Sequence, residues 1–150
     1  MSVLVVFGPP AAGKTTLATR LADRFDAPVV HSDDYNTRTY ERLLDDARIR
    51  LRSHDLVVLD GTFHDPEWRS WARAFDETYF LYATADLDTC LRRDWEREPS
   101  IGESGVRTIH RAFREQDATA DADFTVDTRI LREGTAFELA AERVADWLSS

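Results

Sequence analysis

The stretch that decides the fold of this chain is Gly8-Pro9-Pro10-Ala11-Ala12-Gly13-Lys14-Thr15. It fits the pattern G-x-x-x-x-G-K-[ST] at every fixed position. The apolar run 3–7 precedes it, and Leu17, Leu21 and Phe25 recur every four residues after it. Such a run predicts a buried strand, and such spacing predicts an amphipathic helix. The sequence therefore predicts a strand, a glycine-rich loop and a helix, which is the setting of a phosphate-binding loop, or P-loop.

Each part of this loop has a predicted role with a nucleotide. Backbone N–H groups between Gly8 and Gly13 surround the phosphates, and the small residues Ala11 and Ala12 permit their close approach. Lys14 is expected to bridge the β- and γ-phosphates, and Thr15 to offer its hydroxyl to Mg²⁺. Lys14 is the single lysine among 19 basic residues, and a compact ammonium suits this task better than a planar guanidinium. The single lysine and the flanking strand and helix favour a phosphate-binding loop over a glycine-rich turn that merely joins a strand to a helix.

Strands and helices alternate along the rest of the chain. We expect further strands over residues 28–31, 56–60, 78–83 and 124–126, each followed by a helical stripe of apolar residues. This alternation predicts one α/β domain over residues 1–150, with three layers and a five-stranded parallel sheet, which is the P-loop NTPase fold. The connection rich in Pro, Gly and Ser near residues 99–105 predicts a short mobile lid at about 97–105.

Composition narrows the classes of function. The formal net charge of −9 argues against broad binding of long nucleic acid, although a local basic groove would still admit a nucleic-acid end. No apolar run approaches the roughly 20 residues that span a bilayer, and the start lacks the pattern of a signal peptide, so we expect a cytoplasmic protein without membrane partners. The one cysteine, Cys90, is expected to be a buried structural thiol. The sequence carries no signature of a particular oligomeric state.

Three aspartates follow predicted strands. Asp33 and Asp34 emerge after the second strand, at the sheet edge where ligands of α/β proteins bind. One of them is expected to act as a catalytic base, with Asp34 the better candidate for capping the next helix. Asp60 ends the third strand in the layout of a Walker B carboxylate that reaches Mg²⁺, although a turn residue before Gly61 would look the same.

Two arginines and two tryptophans are further candidates for the functional site. Arg93 and Arg97 lie four apart, on one predicted helical face that runs into the lid, and a closing lid would bring them to the phosphates. The alternative is a solvated face paired with neighbouring acidic residues. Trp68 and Trp71 stand at helical spacing with Phe75, which favours the core over a base-stacking platform.

These segments resemble the P-loop kinases grouped around polynucleotide 5′-kinases, phosphoseryl-tRNA kinase and adenylylsulfate kinase. Residues 8–16 are similar to their phosphate loop, so the resemblance adds Thr16 to the residues that bind the nucleotide. Ser32-Asp33-Asp34-Tyr35 resembles the segment whose first Asp is the general base, which implies Asp33. The lid arginines are similar as well, which implies a transition-state role for Arg97 and phosphate binding by Arg93.

The sequence therefore favours an ATP- and Mg²⁺-dependent kinase that moves the γ-phosphate of ATP to a hydroxyl. The acceptor would be a small molecule, a nucleotide or a nucleic-acid 5′ end, with the last disfavoured by the charge. The alternative is a nucleotide-binding switch or NTPase that controls a partner protein. Asp33 and the lid arginines favour the kinase, because a switch needs a water-positioning residue for which no candidate stands out.

Overall fold

The sheet has five parallel strands in the order β2-β3-β1-β4-β5. The structure is a computed structural model that describes residues 1–129 and 133–150. The strands are β1 (Ser2–Phe7), β2 (Val29–His31), β3 (Leu56–Asp60), β4 (Glu77–Thr84) and β5 (Phe124–Asp127). β1 lies between β3 and β4 and is buried along its whole length, as its uninterrupted apolar sequence requires. The predicted five-stranded parallel sheet is confirmed.

Helices cover both faces of this sheet. They are α1 (Lys14–Arg24), α2 (Thr39–Arg50), α3 (Pro66–Ala72), α4 (Leu87–Glu96), α5 (Glu103–Glu115) and α6 (Glu133–Ser149), with 3₁₀ turns at Ser32–Asp34 and Ala118–Asp121. Side chains alternate across each strand, so β1 contributes Val3, Val5 and Phe7 to one core and Leu4 and Val6 to the other. The first core meets α2 and Phe113 of α5, and the second meets α1 and α6. These layers confirm the predicted α/β architecture.

A third, smaller cluster anchors the loop after β1. Ala12 of that loop packs with Ala85, with Cys90 of α4 and with Val106 of α5. Cys90 is fully buried, as predicted, and burial raises the pKa of its thiol to about 11. The helices on either side of the predicted lid are thus packed against the phosphate loop itself.

The predicted lid is shorter than expected. α4 ends at Glu96 and α5 begins at Glu103, so the connection covers residues 97–102, and residues 103–105 form the first turn of α5. Arg97 is the C-cap of α4 and has an extended backbone, with φ −101° and ψ 157°. The prediction that Arg93 and Arg97 share a helical face is therefore wrong, because the helix ends between them.

The predicted cap on α2 is also wrong. Asp34 lies in the 3₁₀ turn after β2, whereas α2 starts at Thr39 and has Arg38 at its N-cap. Arg38 adopts a left-handed conformation with φ 50°, and its side chain makes no capping hydrogen bond. Four residues separate Asp34 from the helix start, and a capping side chain reaches only the two or three N–H groups that follow it. Over the described part of the chain, no helix has the length and apolarity needed to cross a membrane.

Candidate active site

The loop after β1 follows the backbone of β4 so closely that its first glycine cannot be replaced. A Cβ on Gly8 would lie 1.9 Å from the carbonyl oxygen of Ala83, so any side chain would require the strand to move. Gly13 has φ 86° and Ala11 has φ 61°, both in the left-handed region. Alternation of right- and left-handed residues directs successive N–H groups to one side and forms an anion-binding concavity. The local sequence therefore shapes the loop for phosphate.

Lys14 begins α1 with its side chain buried under the loop. Its exposed fraction is 9%, and Nζ lies 3.4 Å from the carbonyl oxygen of Pro9, to which it donates. Burial lowers the pKa of Lys14, and the carboxylates of Asp60 and Asp33 oppose that shift. A buried ammonium with one long hydrogen bond lacks compensation for its lost hydration. Phosphate oxygens would supply it.

The side chain of Asp60 contacts both Thr15, at the start of α1, and His31, at the end of β2. Its Oδ2 accepts a hydrogen bond from the Thr15 hydroxyl at 2.8 Å and lies 2.7 Å from Nδ1 of His31. His31 and Asp60 are register partners on β2 and β3, so both side chains reach the same edge of the sheet. The hydrogen bond to Asp60 raises the pKa of His31. The other oxygen, Oδ1, is buried without a hydrogen-bond partner among the described residues.

The unpartnered oxygen suits a magnesium ion. Mg²⁺ in nucleotide sites takes one or two protein oxygens and completes its shell with phosphates and water. A hydroxyl and a carboxylate in contact, Thr15 and Asp60, fit that donor set. Within residues 1–129 and 133–150, no cluster of three or more His, Cys, Asp or Glu side chains forms a separate metal site. The two residues predicted to bind metal are therefore brought together.

One cavity of about 560 Å³ opens beside the phosphate loop. It is lined by Lys14, Thr15, Asp33, Asp60 and Arg97, five of the residues singled out in the sequence. Asp33 is exposed toward it from the 3₁₀ turn, whereas Asp34 is not among the lining residues. A cavity of this size is typical of a site for a small-molecule ligand.

Arg97 reaches this cavity because a buried carboxylate holds it there. Asp94, at 3% exposure, accepts hydrogen bonds from Nε of Arg97 at 3.1 Å and from the N–H groups of Ile101 and Gly102 at 3.1 and 3.0 Å. Its carboxylate thus ties both ends of the 97–102 connection to α4. The alternative interpretation of the arginines, a solvated face paired with acidic neighbours, does not describe Asp94, because its carboxylate is buried.

Arg93 lies on the other side of the phosphate loop. Its guanidinium donates to the hydroxyl of Thr128 at 2.9 Å and to the carbonyl oxygen of Thr128 at 3.1 Å. The Thr128 hydroxyl lies 2.7 Å from the carbonyl oxygen of Ala12. A Cβ on Gly13 would come within 3.9 Å of Arg93 Nη1. Arg93 therefore lies beside the loop, while Arg97 lines the cavity. Thr16 is exposed in the first turn of α1.

Sequence reasoning missed several residues at this site. His31 and Asp94 gave no signal, since their roles depend on strand register and on the fold of residues 97–102. Trp68 and Trp71 pack against the core, as favoured, but both also line the cavity. The helical spacing of apolar residues could not distinguish core packing from lining a cavity, because a half-buried ring can do both.

The sheet, the glycine-rich loop and the position of Lys14, Thr15 and Asp60 define a P-loop fold. The chain belongs to the AAA domain family, AAA_33, which it matches over residues 3–122. It is 27% identical over 143 residues to an uncharacterized protein of Mycobacterium tuberculosis strain H37Rv, covering 78% of this chain and 27% of that protein. It is 34% identical over 84 residues to tRNA dimethylallyltransferase 2 of Geotalea uraniireducens, covering 49% of this chain and 26% of that enzyme. The chain thus spans about a quarter of the length of these relatives.

Solved structures share the fold across nearly the whole chain. Shikimate kinase from Bacteroides thetaiotaomicron superimposes with a TM-score of 0.69 at 14% identity, over 99% of both chains. Deoxyadenosine kinase from M. mycoides gives 0.67 at 18% identity, over 97% of this chain and 99% of the other. A gluconokinase from Sinorhizobium meliloti gives 0.66 at 15% identity, over 97% of both.

Proposed function

We propose that this protein is an ATP-dependent kinase that transfers the γ-phosphate of ATP to a hydroxyl group. The observation that carries the proposal is the shared cavity, in which Asp33 and Arg97 lie with Lys14, Thr15 and Asp60. Phosphate-binding residues alone would serve any NTPase. A carboxylate and an arginine in the same cavity, with room for a second molecule, are what transfer to an acceptor requires.

The phosphate loop holds the nucleotide in this proposal. N–H groups from Gly8 to Gly13 bind its phosphates, Lys14 lies between the β- and γ-phosphates, and Arg93 and Thr16 contact the nucleotide beside the loop. Thr15 and Asp60 are the residues that would hold Mg²⁺, through the Thr15 hydroxyl and the free Oδ1 of Asp60. When bound, the ion neutralises charge on the β- and γ-phosphates.

Asp33 and Arg97 act on the transferred group. The Asp33 carboxylate accepts the proton of the acceptor hydroxyl, whose oxygen forms a bond to the γ-phosphorus while the bond to the β-phosphate oxygen breaks and ADP leaves. Charge spreads over the equatorial γ-oxygens during this step. A guanidinium held at the cavity by Asp94 would stabilise that charge more than it stabilises bound ATP.

The kinases that share this fold also support the proposal. They are a shikimate kinase, a deoxyadenosine kinase and a gluconokinase, whose names point to small hydroxyl compounds as acceptors. The same arrangement of sheet and loop therefore serves acceptor kinases, and this chain shares it over at least 97% of its length.

A phosphate-transfer screen tests the proposal. The purified chain is incubated with γ-labelled ATP and Mg²⁺ and with pools of polyols, hydroxy acids, nucleosides and 5′-hydroxyl oligonucleotides, with ATP alone as the control. We expect labelled product with at least one alcohol, at a rate well above hydrolysis in the control. Hydrolysis that no alcohol exceeds would point to an NTPase switch and overturn the proposal.

A further inference from the structure

A group of aromatic and aliphatic side chains lines part of the cavity. It is formed by Tyr40 of α2, by Trp68 and Trp71 of α3, and by Ile101 and Ile109 beside and within α5. The other lining residues are mostly polar and come from the phosphate loop, the strand ends, the start of α2 and the connection between α4 and α5. A ligand that uses the whole cavity therefore needs an apolar part as well as a reactive hydroxyl.

The two tryptophans differ in how much of their ring surface is already covered. Trp68 stacks on Tyr40, with ring centroids 4.2 Å apart and planes 16° from parallel, and it meets His64 edge-on at 4.9 Å. Trp71 has no ring partner within the described ranges 1–129 and 133–150, although it is half-buried against the core. An indole fixed from behind and open to a cavity is a stacking surface for a flat ring.

The charged residues that line the cavity disfavour an acceptor that carries its own phosphate. Arg38 lines the cavity but donates to the Glu41 carboxylate from Nε at 2.8 Å and from Nη2 at 2.5 Å. The remaining cations that line the cavity, Lys14 and Arg97, lie where the proposed kinase needs them for the γ-phosphate. A phosphorylated acceptor would therefore find no unpaired cation for its own phosphate among the described lining residues.

We propose that the acceptor is an alcohol that carries a planar aromatic or heteroaromatic ring and no phosphate, with the ring stacked on Trp71 and its hydroxyl beside Asp33. This inference rests on the proposed kinase function and names the substrate class of that same site. Ile101, which is 47% exposed on the 97–102 connection, lines the cavity with Ile109 and would contact the ring from the side of that connection.

Two measurements on four proteins test this substrate class. Transfer from ATP is measured with ring alcohols, namely nucleosides and aromatic alcohols, and with ring-free polyols and hydroxy acids. Calorimetry without ATP measures binding of the same compounds. The proteins are wild type, Trp71→Leu, Trp71→Phe, and the matched control Trp95→Leu, whose tryptophan is 88% exposed and does not line the cavity.

We expect ring alcohols to have the highest kcat/KM. Trp71→Leu should raise their KM by about tenfold, the range of a lost stacking contact, with kcat nearly unchanged. Trp71→Phe, which keeps a ring and guards against misfolding of the leucine variant, should recover most of the affinity, and Trp95→Leu should behave as wild type.

The outcomes separate the substrate class from the kinase function. If ring-free alcohols are better substrates and Trp71→Leu matches Trp95→Leu, the substrate class is wrong and the kinase stands. If no alcohol accepts phosphate, the kinase fails, and calorimetry still decides on the ring: binding that Trp71→Leu abolishes supports the stacking site, and no binding overturns it. A preference for ring compounds that carry a phosphate would also overturn the inference.

Discussion

Asp60 shows how one residue can serve two contacts and keep an oxygen free. Its Oδ2 is shared by Thr15 and His31, while Oδ1 is buried without a partner among the described residues. Leaving a buried carboxylate oxygen unpaired costs about 1 to 3 kcal/mol. An unpaired buried oxygen of this kind is tolerated where a ligand pairs with it in the functional state. Binding of a nucleotide and its metal ion would supply that partner to Oδ1 of Asp60 and would offset the cost.

The two neighbouring aspartates provide a test with a matched control. Asp33→Asn keeps the shape of the side chain but cannot accept a proton, so transfer should fall by about 10²- to 10⁴-fold while ATP affinity changes little. Asp34→Asn, at a residue outside the cavity, should leave transfer within about twofold of wild type. Single-turnover transfer and ATP titration measure both. An impaired Asp34→Asn beside an active Asp33→Asn would reverse the assignment.

At the scale of elements, the connection between α4 and α5 is held by Asp94. Its carboxylate accepts hydrogen bonds from one side chain, Arg97, and from two backbone N–H groups, at Ile101 and Gly102. Hydrogen bonds to an ionised acceptor are roughly twice as strong as neutral ones. In the proposed kinase, Asp94 would therefore be a positioning residue, which would act on transfer through the place that it gives Arg97.

A double-mutant cycle tests this coupling. Asp94→Asn removes the negative charge that pairs with Arg97 and presents an NH₂ group to at least one of the three donors. The hold on Arg97 should weaken and kcat should fall by about tenfold or more, with a small change in ATP affinity. Arg97→Ala should lower kcat by roughly 10³-fold. The double variant should be no slower than Arg97→Ala alone. Losses that simply multiply would mean that Asp94 supports the fold independently of Arg97.

A second polar network joins α3 to the segment before β5. Arg69, at 2% exposure, donates to the Asp121 carboxylate at 2.9 Å, to the Phe63 carbonyl oxygen at 2.6 Å and to the Gln116 side chain at 2.5 Å. Gln116 in turn donates to the carbonyl oxygen of His64. The network fixes the start of α3, which carries the two tryptophans of the cavity wall.

Removing this arginine should cost stability more than catalysis. Arg69→Met leaves buried acceptors unpaired and should lower the free energy of unfolding by about 3 kcal/mol. Arg73→Met removes a neighbouring arginine that is 51% exposed and also lies near Asp121, and it should cost below about 1 kcal/mol. Urea denaturation of the three proteins measures the difference. Equal midpoints for both variants would contradict a structural role for the buried network.

For the whole molecule, the sequence predicted what depends on local pattern. The phosphate loop, the five strands and the burial of Cys90 follow from motif and periodicity, and the structure agrees with them. The strand order was not predictable, because nothing local says that β3 and β4 flank β1. The pairing of His31 with Asp60 depends on that order and on register.

Two predictions about the site were wrong because a helix begins or ends at a different residue than expected. Arg38 takes a left-handed conformation and separates Asp34 from α2, and α4 ends one residue before Arg97. Helix ends are the least certain part of any pattern-based assignment, since end positions depend on tertiary contacts such as those of Asp94. Lys14, Thr15, Asp33 and Asp60 nevertheless line one cavity, because they follow strand ends on one edge of the sheet, whereas Arg93 does not line it.

In the proposed reaction the γ-phosphate leaves ATP for an alcohol, and ³¹P NMR observes every phosphorus-containing product of that transfer. The best acceptor from the screen is followed with ATP and Mg²⁺, using wild type and Lys14→Met, which removes the phosphate-bridging charge and keeps most of the stem. We expect wild type to form one phosphorylated alcohol for each ADP, with little inorganic phosphate, and a folded Lys14→Met to form neither the phosphorylated alcohol nor ADP. ADP matched by inorganic phosphate, or transfer at the wild-type rate by Lys14→Met, would contradict the proposed reaction.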